Sequence, residues 1–326
     1  MPLPVLKLAA AAMLVGSPLA EERLRRTPFG PRPPECVFSA PHGSTILEGL
    51  DGQLLLHAPG AAEPSLVPVP ESCHAYEAAR RESLERSSGS PPGAVQHGLV
   101  PDGWLSNAGV YYTEYSAKLR EVHKFTGLFT VPPAPPSPYE SETVYYFIGL
   151  EDTSMGAQVS IHQPVLTWGG GDETEGGNGG WYLWSWTCCP QNVTWHSEDI
   201  AGFVPGDTVY GRIEKTADAT WTIDGAFKDG SGHWHNTTLV SQVGNYNYNY
   251  ADVTLEVYGV TSCDQMPYGA SDFTELEISL SDGSSWVSPN WHVTGSTSDC
   301  QVGTTVHDAR TISISTNVGA AAALVV

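Results

Sequence analysis

Basic residues are scarce in this chain of 326 residues, which has 15 Lys and Arg against 36 Asp and Glu. The formal net charge of -21 argues against binding to nucleic acid, because phosphate contacts need clustered cationic side chains. We therefore expect no nucleic-acid partner. Charged residues of both signs make up only 16% of the chain, so its surface must use uncharged polar groups.

Long apolar runs are also missing, and none approaches the roughly 18 residues that a membrane-spanning helix needs. A short apolar stretch near the N-terminus has Lys7 before it, and small residues follow it up to Ala20. This pattern predicts a secretory signal peptide over residues 1–20. We therefore expect a secreted, extracellular protein with no membrane partner.

Several catalytic and cofactor motifs are absent. The sequence has no phosphate-binding loop and no dinucleotide-binding glycine motif, so no cofactor is expected. It offers no candidate Ser/His/Asp triad. His233 and His235 stand two residues apart on one predicted strand, but no third ligand follows at close spacing, so no metal site is predicted.

The charge is distributed unevenly along the chain. Residues 1–92 contain 8 of the 15 basic and 10 of the 36 acidic residues, and residues 93–326 contain the other 7 and 26. We place a boundary between them. Residues 21–92 are Pro-rich and predicted irregular, with one helix over Cys73–Arg86. This region is interpreted as a removable pro-segment that silences an enzyme, or as a linker.

Residues 93–326 consist of short β-type runs punctuated by Gly, Pro, Asn and Asp. Many short strands with turn-rich spacing predict an all-β domain, either an antiparallel β-sandwich or a barrel. The predicted runs include Phe125 to Val131, Val144 to Leu150, Val159 to Trp168, Trp181 to Trp186, Thr208 to Ile213 and Val253 to Tyr258.

An even number of cysteines in a secreted chain indicates disulfides. We favour a pair between Cys36 and Cys73, which would keep that crosslink inside the N-terminal region. The neighbouring Cys188 and Cys189 are expected to pair with the two remaining cysteines rather than with each other. Those two are Cys263 and Cys300.

Two N-glycosylation motifs occur, at Asn192-Val193-Thr194 and at Asn236-Thr237-Thr238. Such short motifs also arise by chance. The predicted secretory context favours both asparagines as glycosylation sites.

Glu256 stands in the middle of an apolar β run. Strand side chains alternate between faces, so Asp252, Thr254, Glu256 and Tyr258 share one face, opposite the core. Partial burial would raise the pKa of the Glu256 carboxyl and make it a competent general acid or base. The alternative interpretation is a solvated strand face.

Gln163 is the second such residue and shares its face with Ile161 and Val165. Its amide can donate a hydrogen bond to a developing oxyanion, and with a carboxylate across the sheet it can position a water. The alternative is a core-lining glutamine that hydrogen-bonds to the backbone. Pro164 removes one ladder donor, which predicts a sheet edge or a bulge.

Aromatic residues cluster just after this strand. Tyr182, Trp184 and Trp186 fall on one strand face. We predict a substrate cleft lined by Trp184, Trp186, Trp181 and Tyr258. The alternative is ordinary burial of aromatic rings in the core of a sandwich.

These segments, in this order, resemble the fungal glutamic peptidases, or eqolisins, from about Phe125 to Leu280. The resemblance is carried by Tyr146-Phe147-Ile148-Gly149-Leu150, Gln163, Trp181-Tyr182-Leu183-Trp184, Val204-Pro205-Gly206-Asp207-Thr208 and Ala251-Asp252-Val253-Thr254-Leu255-Glu256.

The resemblance implies a concanavalin-like antiparallel β-sandwich. It also implies a catalytic Gln and Glu on neighbouring strands of the concave sheet, matched here by Gln163 and Glu256. The chain departs from the family at three places: Pro164 and Val165 replace Thr-Gly after the Gln, Ala251-Asp252-Val253 replaces an Ala-Glu-Trp segment before the Glu, and Cys188-Cys189-Pro190 replaces a Tyr-rich strand.

These observations together predict a secreted acid endopeptidase of the glutamic type. Its substrate would be a protein or peptide, it would need no metal, and it would act as a monomer. The alternative is a carbohydrate-binding, lectin-like sandwich in which Trp184 and Trp186 stack on sugar rings. A structural cell-wall protein that uses the sandwich as a spacer is the third possibility.

Overall fold

The structure is a computed structural model. It describes residues 24–49, 51–86, 102–111, 122–138, 142–153, 160–169, 179–244, 246–285, 288–295, 297 and 299–316. The predicted signal peptide and the predicted boundary near residue 92 lie outside the described residues. Both therefore stay predictions.

Strands dominate the described part of the chain, and its α-helix is α1, Glu71–Arg86. The N-terminal strands are β1 Val37–Ala40, β2 Ser44–Glu48, β3 Leu54–His57 and β4 Ser65–Val67. The strands that follow are β5 Gly103–Tyr111, β6 Val122–Thr130, β7 Thr143–Asp152, β8 Ser160–Gly169, β9 Trp181–Cys188, β10 Thr194–Ser197, β11 Ile200–Ala201, β12 Thr208–Ala217, β13 Thr220–Lys228, β14 Trp234–Gln242, β15 Tyr250–Tyr258, β16 Gly269–Leu280, β17 His292–Thr294, β18 Gly303–Asp308 and β19 Thr311–Thr316.

These strands form two stacked sheets. Sheet A has the order β1-β10-β9-β8-β7-β15-β5-β17, with β11 beside β9. Sheet B has the order β18-β19-β16-β6-β12-β13-β14-β2-β3-β4. Nearly all neighbours are antiparallel, and the parallel pairs are β1 with β10 and β2 with β14. The prediction of an all-β sandwich is confirmed.

The main core lies between the two sheets. On β15, Val253 and Leu255 face sheet B and belong to one buried cluster with Phe129 and Ile213 of that sheet. The two faces of β15 therefore divide as the alternation predicts. The residues of β15 that alternate with these, including Glu256, lie on the other face of sheet A, which points away from sheet B. We call this the outer face.

Pro164 does not mark a sheet edge. Its strand β8 is interior and pairs in one continuous register with β9, while pairing with β7 is interrupted between Phe147–Val165 and Leu150–His162. The Pro164 ring points into the core, where a Cβ on Gly211 would lie only 2.9 Å from it. A proline fits this interior strand because a glycine in the facing sheet leaves room for its ring.

The prediction of an irregular N-terminal region is wrong for its described residues, because four short strands there pair with both sheets. Strand β1 extends sheet A, and β2 to β4 extend sheet B. The predicted helix is confirmed and begins two residues before Cys73, at Glu71. A disulfide between Cys36 and Cys73 joins the residue before β1 to this helix, as the sequence analysis favoured.

The prediction for the other four cysteines is wrong. Cys188 pairs with its neighbour Cys189, and Cys263 pairs with Cys300, whose Cα atoms are 5.0 Å apart. Cys263 and Cys300 lie in or beside the core between the sheets, whereas Cys188 and Cys189 belong to a separate cluster with Ile161. That separation prevents crosslinks between the two groups.

Candidate active site

The outer face of sheet A carries the predicted site residues in three rows, since paired residues of neighbouring strands share a face. In the first row, Gln163 of β8 lies in register with Gly149 of β7 and, beyond it, with Asp252 of β15. The second row is Val165, Phe147 and Thr254, and the third is Thr167, Tyr145 and Glu256.

Gln163 and Glu256 therefore share a face of one sheet but stand in different rows. They are two strands apart and are offset by four residues along the strand direction. Strand spacing and rise place their Cα atoms roughly 10 Å apart across the sheet and roughly 13 Å apart along it. Phe147 occupies the row between them. The two side chains can approach one water only by leaning toward each other over that row.

The Glu256 carboxyl is sealed from solvent, with 2% of the residue exposed. Burial is the largest effect on its pKa and raises it to about 8, and the nearby Asp252 carboxyl adds to the rise. The Tyr258 hydroxyl donates a hydrogen bond to Oε1 and opposes this effect. Oε2 has no hydrogen-bond partner among the described residues. In this form of the protein, burial favours the neutral, protonated form of the Glu256 carboxyl.

The Gln163 amide is fully buried, with 0% of the residue exposed. Neither Oε1 nor Nε2 finds a hydrogen-bond partner in the described part of the structure. The core-lining glutamine that bonds to backbone is therefore not what the structure shows. A buried amide with both polar atoms unmatched costs stability, which is typical of a group kept for function.

The predicted cleft aromatics divide between the two faces of sheet A. Trp184, Trp186 and Tyr258 lie on the outer face in one buried cluster with Tyr145 and Phe147. Because all three are buried, they offer no open stacking platform for a sugar ring.

Trp181 does not lie on that face, so its assignment to the cleft is corrected. It has the opposite strand parity and packs in the core between the sheets, against Trp168 and Tyr146.

The N-terminal segment covers the outer face, and we call residues 25–37 the covering segment. The Tyr145 hydroxyl donates a 3.1 Å hydrogen bond to the Arg26 carbonyl. The Phe29 ring packs edge-on against Trp186 at 6.0 Å between centroids. Val37 belongs to the same buried cluster. The side chains next to Gln163 and Glu256 are thus shielded by this segment.

Arg32 anchors the covering segment. Its guanidinium is buried, forms an ion pair with Glu77 of α1, and donates through Nη2 toward the Cys189 Sγ at 3.4 Å. Glu77 also binds Arg80, with Nε to Oε1 at 2.8 Å. The covering segment is therefore held both by helix α1 and by sheet A.

Sequence reasoning missed two further carboxyls on the outer face. Asp252 was placed on this face but given no role, and Glu151 was not considered. Burial raises the pKa of both carboxyls. The charge of Asp252 raises the pKa of Glu151 and of Glu256 further, and the charge of Glu256 also raises that of Glu151. The available signal was Gly149, because a glycine inside a buried strand marks a place where another group approaches closely.

The two glycosylation motifs differ in accessibility. Asn236 is exposed on β14. Asn192 is partly buried, and its amide contacts His74 Nδ1 at 2.7 Å and accepts from Arg81 at 2.5 Å, while Thr194 of the motif is fully buried. Glycosylation at either residue stays a prediction, and the geometry favours Asn236.

Neither a metal-binding cluster nor a membrane helix is found in the described ranges. No group of three or more His, Cys, Asp or Glu side chains there could hold a metal ion. His235 instead contacts Asp229, with Nε2 to Oδ2 at 2.9 Å. Helix α1 is too short and too polar to cross a membrane, and no other helix among the described residues can do so.

Comparison with solved structures finds chains that are similar to this one. The chain is similar to the glutamic peptidases. A structure titled scytalido-glutamic peptidase with a peptide-based transition state analog is 18% identical over 65% of this chain and 98% of its own, with a TM-score of 0.47. A second, with a transition state analog inhibitor, is 19% identical over 66% and 98%, also with a TM-score of 0.47.

A third structure is SCP-B, described as a member of the eqolisin family in a complex with the tripeptide Ala-Ile-His. It is 18% identical over 65% of this chain and 98% of its own, with a TM-score of 0.46. No protein-family model matches the chain, and no curated protein matches it either.

Proposed function

We infer that this protein is a secreted acid endopeptidase of the glutamic type, described here in a covered form. The observation that carries this inference is the outer face of sheet A, where a carboxyl and an amide are buried with unmatched polar atoms. Glu256 Oε2 and both polar atoms of Gln163 are in that state. Protein and peptide substrates suit such a face, because a peptide carbonyl and a water would supply the missing partners.

The covered form is inactive as a peptidase for an electrostatic reason. A general base must be ionised, and burial holds the pKa of Glu256 at about 8, so in acid the carboxyl keeps its proton. Removal of residues 25–35 of the covering segment, which precede the disulfide-bonded Cys36, would admit water, which stabilises the carboxylate and lowers this pKa. The covering segment lies within residues 21–92, predicted as a pro-segment or a linker, and we propose that it silences the enzyme in this way.

In the uncovered enzyme, Glu256 takes a proton from a water, whose oxygen attacks the scissile carbonyl carbon. The Gln163 Nε2 donates a hydrogen bond to the oxyanion that forms. The tetrahedral intermediate then collapses, the bond from carbon to nitrogen breaks, and the leaving amine takes up a proton.

The test is cleavage of a denatured protein in mild acid by the full-length chain, incubated to allow removal of the covering segment. Glu256→Gln should lower kcat by about 10²–10⁴-fold, the usual worth of a general base. Gln163→Ala should lower kcat by about 10²–10³-fold, as loss of one oxyanion donor does.

The matched control is Glu277→Gln, because Glu277 is exposed on strand β16 of sheet B. It should cleave at the unsubstituted rate. Full activity of Glu256→Gln would refute the catalytic role of Glu256. Glycan binding that depends on Trp184, without any proteolysis, would favour the lectin-like alternative.

A further inference from the structure

His196 lies on the outer face of sheet A, in line with Gln163. Gln163 of β8 pairs with Trp186 of β9, and Trp186 pairs with His196 of β10. Two strand spacings place the Cα atoms of Gln163 and His196 roughly 10 Å apart. Neither the predicted cleft nor the proposed reaction uses His196.

The imidazole ring of His196 packs against two indole rings. Its centroid lies 4.8 Å from that of Trp184 and 4.6 Å from that of Trp186. The two indole rings are 6.1 Å apart, so the three rings form a compact triangle, which we call the ring triad. His196 is 2% exposed and each tryptophan 3%, so all three side chains are buried.

One hydrogen bond fixes the tautomer of His196. Nδ1 lies 2.8 Å from the carbonyl oxygen of Ser197, and a carbonyl only accepts, so Nδ1 carries the proton. Burial lowers the pKa of His196 to about 4 against the opposing effect of this hydrogen bond, and the charge of Arg25 lowers it further. In mild acid the imidazole is therefore neutral, with a lone pair on Nε2.

The polar atoms of the ring triad have no partners. Nε2 of His196 and Nε1 of both tryptophans are buried without a hydrogen bond to any described residue. One acceptor and two donors thus lie close together between aromatic walls. Buried polar atoms without partners cost stability, which indicates a place for a polar group of a ligand.

The covering segment shields the ring triad but leaves these atoms unmatched. Its Phe29 contacts Trp186 with an apolar ring. Its backbone groups at Arg25 and Arg32 bond to each other, at 2.6 and 2.8 Å, and the Thr27 hydroxyl donates to the carbonyl of Gly30. A substrate that replaces the segment can therefore use a donor and acceptor set that the segment does not.

The unmatched atoms select a group of definite chemistry. The group must accept from an indole N–H and donate to Nε2 of His196. A side-chain carboxamide does both, because its oxygen accepts and its NH₂ donates, whereas a carboxylate cannot donate and an ammonium group cannot accept. A hydroxyl offers both functions through one atom, but the unmatched nitrogens belong to different rings.

We propose that the ring triad is a specificity subsite for a glutamine or asparagine side chain of the substrate, in which Nε2 of His196 accepts from the amide. The proposal rests on the proposed function. An extended peptide spans the roughly 10 Å between Gln163 and His196 with about three residues. The selected side chain therefore lies about three positions from the scissile bond.

The test uses a peptide that the full-length chain cleaves after incubation to allow removal of the covering segment. Each residue within about four positions of the scissile bond is replaced in turn by glutamine and by methionine, which has a similar length but no amide. At one position, about three residues from the bond, glutamine should be favoured by about 10–100-fold in kcat/KM, as two buried hydrogen bonds would give.

Two variants test the role of His196. His196→Phe keeps an aromatic ring and removes the acceptor, so it should lower kcat/KM for the glutamine peptide to that for the methionine peptide. His196→Asn should do the same, although its amide nitrogen can replace Nδ1 and donate to the Ser197 carbonyl. Near-ultraviolet circular dichroism checks that the tryptophans keep their packing in both variants.

His235→Phe is the matched control. The His235 ring also stacks on an aromatic ring, Phe227, with centroids 5.0 Å apart, but it lies on β14 of sheet B. This variant should keep the full preference for glutamine.

Equal cleavage of the glutamine and methionine peptides at every position would overturn the subsite and leave the proposed function standing. A preference that both His196 variants retain would overturn it as well. Absence of cleavage of every peptide by the unsubstituted chain would refute the proposed function and, with it, the substrate role of His196.

Discussion

Phe29 packs edge-on against Trp186, with ring centroids 6.0 Å apart. One ring belongs to the covering segment, and the other belongs to the strand beside Gln163. Through this contact the N-terminal region closes the outer face of sheet A. The same contact gives a direct way to open it.

Phe29→Ala should loosen the covering segment without unfolding the sandwich, because it removes one ring contact and part of a buried apolar surface. We expect faster amide hydrogen exchange at Arg26 to Arg32 and stronger quenching of tryptophan fluorescence by acrylamide. The measurement is hydrogen exchange by mass spectrometry on the full-length chain.

Phe38→Ala is the matched control for this experiment. Phe38 is also half-buried and also stacks on a tryptophan, Trp195, at 4.9 Å, but it belongs to a different cluster. It should leave exchange at Arg26 to Arg32 unchanged. Equal acceleration in both variants would show that Phe29 has no specific role in closing the face.

Much of the architecture was predictable from periodicity. The alternation of apolar and polar residues in β15 placed Glu256 and Tyr258 opposite the core, and they are there. The same alternation separates Trp181 from Trp184, and the assignment of both to one cleft ignored it. Local patterns fix the face of a side chain because strand geometry repeats every two residues.

The register between distant strands was not predictable in this way. The alignment of Gln163 with Asp252 depends on how β7 pairs with both β8 and β15. No local sequence pattern encodes those pairings. The place of the covering segment depends on Arg32 and Glu77, which are 45 residues apart. Contacts of this kind need the folded chain.

The buried ion pair between Arg32 and Glu77 should be costly to break on one side only. Arg32→Met leaves the Glu77 carboxyl buried with Arg80 as its remaining ion-pair partner among the described residues, and loss of one buried partner typically costs about 3–5 kcal/mol. We expect that loss in urea unfolding, together with release of the covering segment. Arg32→Met combined with Glu77→Leu should recover part of it, because the buried Glu77 carboxyl is gone, whereas Arg80 loses its ion pair with Glu77.

Arg212→Met tests whether any arginine would give the same result. Arg212 is partly exposed on β12 and pairs with Asp224 of the adjacent strand. Exposed pairs contribute about 0–1 kcal/mol, so its loss should be small. A double variant as unstable as Arg32→Met alone would contradict the account of the anchor.

The buried Glu256 carboxyl should make the covered form less stable as the pH rises. Its pKa is about 8 in the folded chain against an ordinary value of 4.5, so folding retains a proton that the unfolded chain has lost. This stabilisation is complete below pH 4.5 and is lost as the pH rises toward 8. At 1.36 kcal/mol for each pKa unit, it amounts to on the order of 3–5 kcal/mol.

Glu256→Gln should therefore reduce the loss of stability between mild acid and pH 8, as measured by urea unfolding at a series of pH values. Part of the slope should remain, because burial also raises the pKa of Asp252 and Glu151. His162 and His196 act in the opposite direction, because burial lowers their pKa to about 3 and about 4, and their contribution is lost in acid. Those histidines are present in both proteins, so the difference between the two profiles reports Glu256 together with its effect on the pKa of Glu151. Parallel profiles would show that Glu256 is ionised in the folded chain, and the electrostatic silencing of the covered form would then be wrong.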